Sequence, residues 1–150
     1  MLILLDTGIL IRLWHRADPF HIPVRNAIHS LRLQGGTFAT THQNVAEFWN
    51  VCTRPATARG GLGLSHSLTE KRLRLIERIA VVVHESSSAY AIWKQLVVSL
   101  GVMGVQVHDA RLVATMTSLG ITNLLTLNLR DFARFSGINV MDVSAPVAIS

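Results

Sequence analysis

The sequence LILLDTGILI, residues 2–11, places an aspartate between a short apolar run and a helical pattern. The run Leu2–Leu5 is uninterrupted, as in a strand of a parallel sheet that is covered on both faces. The apolar residues that follow, beginning with Ile9 and Leu10, recur at the spacing of an amphipathic helix. We therefore expect Asp6 at the carboxyl end of a buried strand.

The same alternation of strand and helix continues along the whole chain. Further strand-like runs lie at 37–40, 80–84, 124–127 and 139–143, and helical patterns begin near residues 7, 23, 41, 67, 86, 106 and 128. The first of these helices is expected to end at Asp18-Pro19 and the last at Phe135, and segment 53–65 is expected to be a flexible loop. Such alternation predicts an α/β protein with a parallel sheet and right-handed crossovers. We expect a single domain over residues 1–150, long enough to bury about two thirds of its unfolded surface.

Composition narrows the cellular setting and the partners. No run of about 18 uncharged apolar residues occurs, so no membrane span is expected, and the first apolar stretch lacks the basic flank of a signal peptide. The single cysteine, Cys52, fits a reducing cytoplasm. Lysine and arginine outnumber the acids by 14 to 9. This basic balance favours a polyanionic partner such as nucleic acid.

The positive charge is almost entirely arginine, which suits bidentate phosphate contacts. Arg12 and Arg16 are four residues apart, and a second group lies in the irregular segment 53–65 and the helical pattern after it: Arg54, Arg59, Lys71, Arg72, Arg74 and Arg78. These side chains are candidate phosphate contacts, although a solvated helix face would have the same pattern.

Four of the nine acidic residues stand beside apolar runs: Asp6, Glu47, Asp109 and Asp131. Ligands of open α/β sheets bind beyond the carboxyl ends of the strands, and the predicted elements bring all four acids to that edge. A carboxylate in apolar surroundings is costly unless it is paired or bound to a metal. Hard oxygen ligands select Mg²⁺ or Mn²⁺, which can activate water and stabilise charge on a phosphodiester. The pattern predicts a shared divalent cation.

Simpler roles are open for most of these acids. Asp6 could cap the helix that follows it, and Asp109 could be an acid of a helix first turn. Asn128 and Asp131 could form a capping box. Glu47 fits these roles worst, because it lies in mid-helix with no basic residue three or four positions away.

Thr7 and Thr126 adjoin the predicted site and could orient a carboxylate or a water, or be ordinary turn and strand residues.

Other site chemistries lack support in the sequence. The seven histidines show no His-x-x-x-His spacing and there is no Cys-x-x-Cys, so zinc is not expected. The chain has no P-loop, no G-x-G-x-x-G and no G-x-S-x-G.

Four segments together resemble the motifs of PIN-domain ribonucleases, in the order of that family. They are LLDTGILI, VAEFWNVCTRP, VHDARLVATM and TLNLRDFARF, and they are most similar to the VapC-like toxins of bacterial toxin–antitoxin pairs. The resemblance implies a three-layer α/β/α sandwich around a five-stranded parallel sheet. It also implies Mg²⁺- or Mn²⁺-dependent cleavage of RNA, a small antitoxin partner and a homodimer.

The resemblance also implies roles for individual residues. Asp6, Glu47 and Asp109 match the three core acids, and the fourth acidic position falls to Asn128 or Asp131. Asp6 and Asp109 would be direct metal ligands, and Glu47 a ligand or a water-positioning base. The remaining expected site residues are Asp131 as the further catalytic and metal-binding acid and Asn128, Thr7 and Thr126 in support.

Two departures from the family pattern leave a second function open. Gly8 stands where the family commonly has Asn or Ser, and Asn128, one of the two candidates for the fourth acidic position, is neutral. The alternative is a non-catalytic RNA- or protein-binding module on a degenerate PIN scaffold. A receiver-like phosphotransfer domain is disfavoured, because the third predicted strand ends in His84-Glu85 and the C-terminal third has no lysine.

Overall fold

The computed structural model describes residues 1–144; the last six residues of the predicted domain, 145–150, lie outside the described residues. Five parallel strands form one sheet in the order β3-β2-β1-β4-β5. The strands are β1 Leu2–Leu5, β2 Thr37–Thr41, β3 Ala80–Val83, β4 Asn123–Leu125 and β5 Asn139–Met141. The predicted five-stranded parallel sheet is confirmed.

Seven α-helices lie within residues 1–144 and cover the sheet. They are α1 Thr7–Arg12, α2 His21–Leu33, α3 His42–Thr53, α4 His66–Glu77, α5 Ala89–Ser99, α6 Val107–Ser118 and α7 Leu129–Phe132, with a 3₁₀ turn at Gly104–Gln106. No helix within residues 1–144 combines the length and the apolar character that a membrane crossing requires.

The central strand β1 separates two apolar cores. Successive strand side chains point to opposite faces, so Ile3 and Leu5 pack in one core and Leu4 in the other. Helices α1 to α4 contribute to the first core, for example through Phe48, and α6 and α7 contribute to the second, for example through Met116. The result is the predicted α/β/α sandwich, with every β1 side chain after Leu2 buried.

The elements differ from the sequence prediction mainly at their ends. Helix α1 stops at Arg12, well before the expected end at Asp18-Pro19, and α7 has four residues where a helix to Phe135 was expected. Segment 53–65, expected to be a flexible loop, folds back onto the end of α3. The amides of Leu62 and Leu64 donate to the carbonyls of Val51 and Cys52 at 3.0 and 2.8 Å.

Candidate active site at the carboxyl edge of the sheet

Asp6 follows β1 directly, and its carboxylate is held by three donors. Oδ2 accepts from the Thr126 hydroxyl at 2.7 Å, and Oδ1 accepts from the Thr7 amide at 2.8 Å and from Asn44 Nδ2 at 3.3 Å. The Thr7 contact makes Asp6 the N-cap of α1, as its simpler role required. Burial raises the pKa of Asp6 above its usual value, and the nearby charge of Glu47 adds to the effect.

Glu47 lies in the middle of α3, and both of its carboxylate oxygens accept hydrogen bonds. Oε2 accepts from the Thr7 hydroxyl at 2.6 Å, and Oε1 accepts from Gln43 Nε2 at 3.1 Å. Gln43 Nε2 also lies 3.0 Å from the carbonyl of His108, the residue before Asp109. Glu47 is thus fixed against the start of α1, and Gln43 joins α3 to the start of α6.

Asn44 connects these two acids and is not among the site residues predicted from the sequence. Its side chain is 1% exposed; Nδ2 donates to Thr7 Oγ1 at 3.0 Å as well as to Asp6, and Oδ1 accepts from Thr41 Oγ1 at 2.6 Å. Thr41 caps α3, with its hydroxyl accepting from the Asn44 amide at 3.2 Å. The signal available in the sequence was the spacing of Asn44 and Glu47, three residues apart on one helix face.

Asp109 lies close enough to the other three predicted acids to be repelled by their charges. It is the acid of the first turn of α6. Its pKa is raised to about 6, first by burial and then by the charges of Asp6, Asp131 and Glu47. The structure thus brings Asp6, Glu47 and Asp131 within electrostatic reach of Asp109. The helix dipole favours the charged form of an acid in the first turn, but burial and repulsion outweigh it and raise the pKa of Asp109.

The capping-box interpretation of the contested fourth position is wrong. Asn128 occupies the N-cap position of α7, but its side chain makes no capping hydrogen bond. The backbone amide of Asn128 instead donates to the Thr126 hydroxyl at 3.0 Å, so Thr126 links this turn to Asp6. Asp131 is exposed in α7, and its charge acts on Asp109.

The chemistry of this donor set fits a hard divalent cation, although the side chains are not arranged as a coordination sphere. Within residues 1–144, no group of three or more His, Cys, Asp or Glu side chains has a geometry ready to hold a metal ion. The pKa values of Asp6 and Asp109 are raised first by burial, and an excess of neighbouring negative charge adds to the effect. A bound cation would offset that excess.

The positive charge of Arg12 acts on Asp6 and offsets a part of the rise in its pKa. Its Nη1 donates to the carbonyl of Gly8 at 3.2 Å, and its Nε lies 3.3 Å from Asp18 Oδ2. A Cβ at Gly8 would lie 3.5 Å from Arg12 Nη1, an ordinary contact distance. The guanidinium therefore lies beside the place where the family commonly has a polar side chain.

The other predicted basic group lies in segment 53–65 and on and just after α4. Arg54 donates to the carbonyl of Arg59 at 2.9 Å within segment 53–65. Lys71, Arg74 and Arg78 line a surface hollow on and just after α4 that includes none of the four acids. Lys71, Arg74 and Arg78 therefore share one basic hollow on the surface.

Comparison with known proteins gives the class of this fold. Residues 3–138 match the model of the PIN domain, and the chain belongs to that family. No curated protein matches the chain.

Solved structures agree with the family. The chain is similar to one in the crystal structure of VapBC2 from Rickettsia felis bound to a promoter DNA fragment, at 15% identity, with 95% of this chain and 98% of that chain covered and a TM-score of 0.72. For VapBC-1 from nontypeable Haemophilus influenzae the identity is 17%, the coverages are 96% and 99%, and the TM-score is 0.70.

A third similar structure is VapC20 of Mycobacterium tuberculosis, described as a toxin that cleaves the sarcin–ricin loop. It is 18% identical, with 87% of this chain and 93% of that chain covered and a TM-score of 0.61. At such identities the likeness concerns the fold, which is the VapC-like PIN fold that the four motifs indicated.

Proposed function

We propose that this protein is a metal-dependent endoribonuclease and the toxin of a toxin–antitoxin pair. The observation that carries the proposal is the electrostatic coupling of Asp109 to Asp6, Glu47 and Asp131 at the carboxyl edge of a PIN-family sheet. Carboxylates are forced together there at a cost in free energy, and such costly clusters are typical of sites that use the charge for chemistry.

The residue roles follow from what each side chain contacts. Asp6 and Asp109 would hold Mg²⁺ or Mn²⁺ directly, with Glu47 as a further ligand or as the base that positions the attacking water. Asp131 would complete the metal-binding and catalytic set. The cation would supply Lewis-acid stabilisation of charge on the phosphodiester.

Neutral side chains would support these acids. Thr126 orients Asp6 through its 2.7 Å hydrogen bond, and Thr7 orients Glu47 through its 2.6 Å bond. Asn128 would support the turn that presents Asp131, since its amide binds the same Thr126 hydroxyl. Hydrogen bonds of this kind fix the direction of ligand lone pairs, so their loss weakens a metal site.

The proposed partners are RNA as substrate, a small antitoxin and a second copy of the chain, with the cytoplasm as the place of action. The net charge of +5 supports an RNA substrate, and the VapBC structures of the same fold support an antitoxin. The end of α5 and the segment after it expose Val98, Met103 and Val105, each more than 70% exposed. Apolar surface of this kind supports a homodimer.

The decisive experiment compares Asp6→Asn with the matched control Glu70→Gln, which removes an exposed acid on α4. We expect Asp6→Asn to lose Mn²⁺-dependent RNA cleavage by at least about 100-fold. The variant should keep the far-UV circular dichroism of the wild type, because it removes a buried charge. Glu70→Gln should cleave normally. Full activity of Asp6→Asn would refute the proposal.

A thermal shift with Mn²⁺ separates the enzyme from its alternative. A catalytic metal site should raise the melting temperature of the wild type on Mn²⁺ addition, and this gain should vanish in Asp6→Asn. RNA binding without cleavage, together with no stabilisation by Mn²⁺, would instead support the non-catalytic binding module.

A further inference from the structure

A second hollow lies between the end of β3 and helices α5 and α6. Its lining is Glu85, Ala89, Tyr90, Trp93 and Arg111, and its volume is about 310 Å³. This volume is at the lower end of the range of small-molecule pockets. The predicted site residues do not include any of these five.

Two aromatic rings form one wall of the hollow. The ring centroids of Tyr90 and Trp93 are 6.1 Å apart, and the ring planes are tilted by 32°. Trp93 Nε1 donates to the carbonyl of Val107 at 2.9 Å, which fixes the indole against the first residue of α6. Tyr90 is 69% exposed, so a face of the aromatic pair is open to solvent.

An ion pair between Arg111 and Glu85 also lines the hollow. Arg111 Nε donates to Glu85 Oε1 at 2.6 Å. Arg111 follows Asp109 by two residues on α6. Arg111 and Glu85 also line a smaller cavity with Gln43, which binds Glu47. The hollow is thus linked to Glu47 through the smaller cavity and Gln43.

We propose that this hollow binds a nucleobase of single-stranded RNA, next to the phosphodiester that the acids would cleave; the inference rests on the function proposed above. Tyr90 and Trp93 supply the stacking surface, and Arg111 contacts the adjoining phosphate. Aromatic side chains bind unpaired bases by stacking, and arginine tracks the backbone between them. The net charge of +5 favours a polyanionic occupant such as RNA over a protein partner.

The test measures binding of two labelled probes by fluorescence anisotropy in EDTA, where metal-dependent cleavage cannot proceed. One probe is a decamer of adenosine nucleotides, and the other is a decamer of abasic ribose phosphates with the same charge. The wild type should bind the adenosine decamer about 5- to 100-fold more tightly, the range that stacking of one base supplies. Tyr90→Ala should remove most of this preference, and Tyr90→Phe should retain it.

Two further variants separate stacking from other effects. Leu33→Ala shortens an equally exposed apolar side chain at the end of α2 and should leave the preference unchanged. Arg111→Gln should weaken the binding of both decamers by a similar factor, because the phosphates are common to both probes.

The inference is overturned if the wild type binds both decamers equally, or if Tyr90→Ala keeps the wild-type preference. A change from dimer to monomer in Tyr90→Ala, seen by sedimentation, would identify a protein surface instead and would also overturn it. RNA cleavage in Mn²⁺ without a base preference refutes the hollow alone. A base preference without cleavage refutes the proposed nuclease and leaves the base-binding hollow in place.

Discussion

The hydroxyl of Thr7 donates a 2.6 Å hydrogen bond to Oε2 of Glu47, a residue 40 positions away in the sequence. Thr7 begins α1 immediately after Asp6, and Glu47 lies in α3. The same hydroxyl accepts from Asn44 Nδ2 at 3.0 Å. One threonine thereby fixes the direction of the helical acid relative to the acid at the end of β1.

Thr7→Val should reduce Mn²⁺-dependent RNA cleavage by about 10- to 100-fold, the usual effect of removing a group that orients a metal ligand. Valine has nearly the same shape but cannot donate to Glu47 or accept from Asn44. The buried amide of Asn44 then loses a partner, which should lower the free energy of unfolding by about 1–3 kcal/mol. Thr7→Ser restores the hydroxyl and should restore both the cleavage rate and the urea midpoint. Wild-type cleavage by Thr7→Val would contradict the orienting role.

Asn44→Ala should be more damaging to the fold than Asn50→Ala, a matched change at an exposed position of the same helix. Asn44 donates to Asp6 and Thr7 and accepts from Thr41, so its removal leaves several buried groups unsatisfied. We expect a loss of about 2–4 kcal/mol in urea unfolding for Asn44→Ala and less than about 0.5 kcal/mol for Asn50→Ala. Equal losses would show that this network contributes little to stability.

The sequence was sufficient for the order of the elements and for the acids, but not for the hydrogen bonds between them. Asp6 and Glu47 could be recognised because a carboxylate beside apolar residues is costly. Asn44 and Gln43 could not be recognised in the same way, since asparagine and glutamine in the first turn of a helix are also common on solvated faces. Their partners are up to 65 positions away, so the register of α3 against α1 and α6 decides their role.

The ends of the elements were missed for a similar reason. Nothing local distinguishes segment 53–65 from a flexible loop, because its order comes from hydrogen bonds to the carbonyls of Val51 and Cys52 at the end of α3. Gly61 contributes by its lack of a side chain, since a Cβ there would lie 2.2 Å from the carbonyl oxygen of Pro55. Such close contacts depend on tertiary packing rather than on local preference.

Without metal, the protein should lose stability as the pH rises from about 4 to about 6. The pKa of Asp109 is raised from 3.8 to about 6, so in this window the folded state binds more protons than the unfolded state. The free energy of unfolding therefore falls with pH, and the contribution is fully present only below about pH 4. Allowing for solvent screening, we expect up to about 2 kcal/mol.

The measurement is urea unfolding in EDTA across this pH range, for the wild type and for Asp109→Asn. The difference between the two profiles isolates the contribution of Asp109 from that of groups whose pKa shifts in the other direction. Glu85 is one such group, because its hydrogen bond with Arg111 lowers its pKa. Asp109→Asn should show a flatter profile, and Glu70→Gln should keep the wild-type one. Identical profiles for the wild type and Asp109→Asn would contradict the raised pKa.

The fourth acidic position can be assigned by exchanging charge between Asn128 and Asp131. Both residues are exposed, but the charge of Asp131 already acts on Asp109 and raises its pKa. If Asp131 supports the metal, Asp131→Asn should lower Mn²⁺ affinity by about 10-fold, in the range found for supporting residues of metal sites. The pKa of Asp109 should fall at the same time, because one repelling charge is gone.

Asn128→Asp is the complementary change, since it adds a carboxylate at the N-cap of α7. The backbone amide of this residue donates to the Thr126 hydroxyl. In the Asp131→Asn background it should recover part of the lost Mn²⁺ affinity, measured by calorimetric titration. Asn50→Asp adds the same charge on the exposed face of α3 and should recover none. If Asp131→Asn alone binds Mn²⁺ as the wild type does, Asp131 is not the fourth acid. Three carboxylates, Asp6, Glu47 and Asp109, would then account for the whole metal affinity.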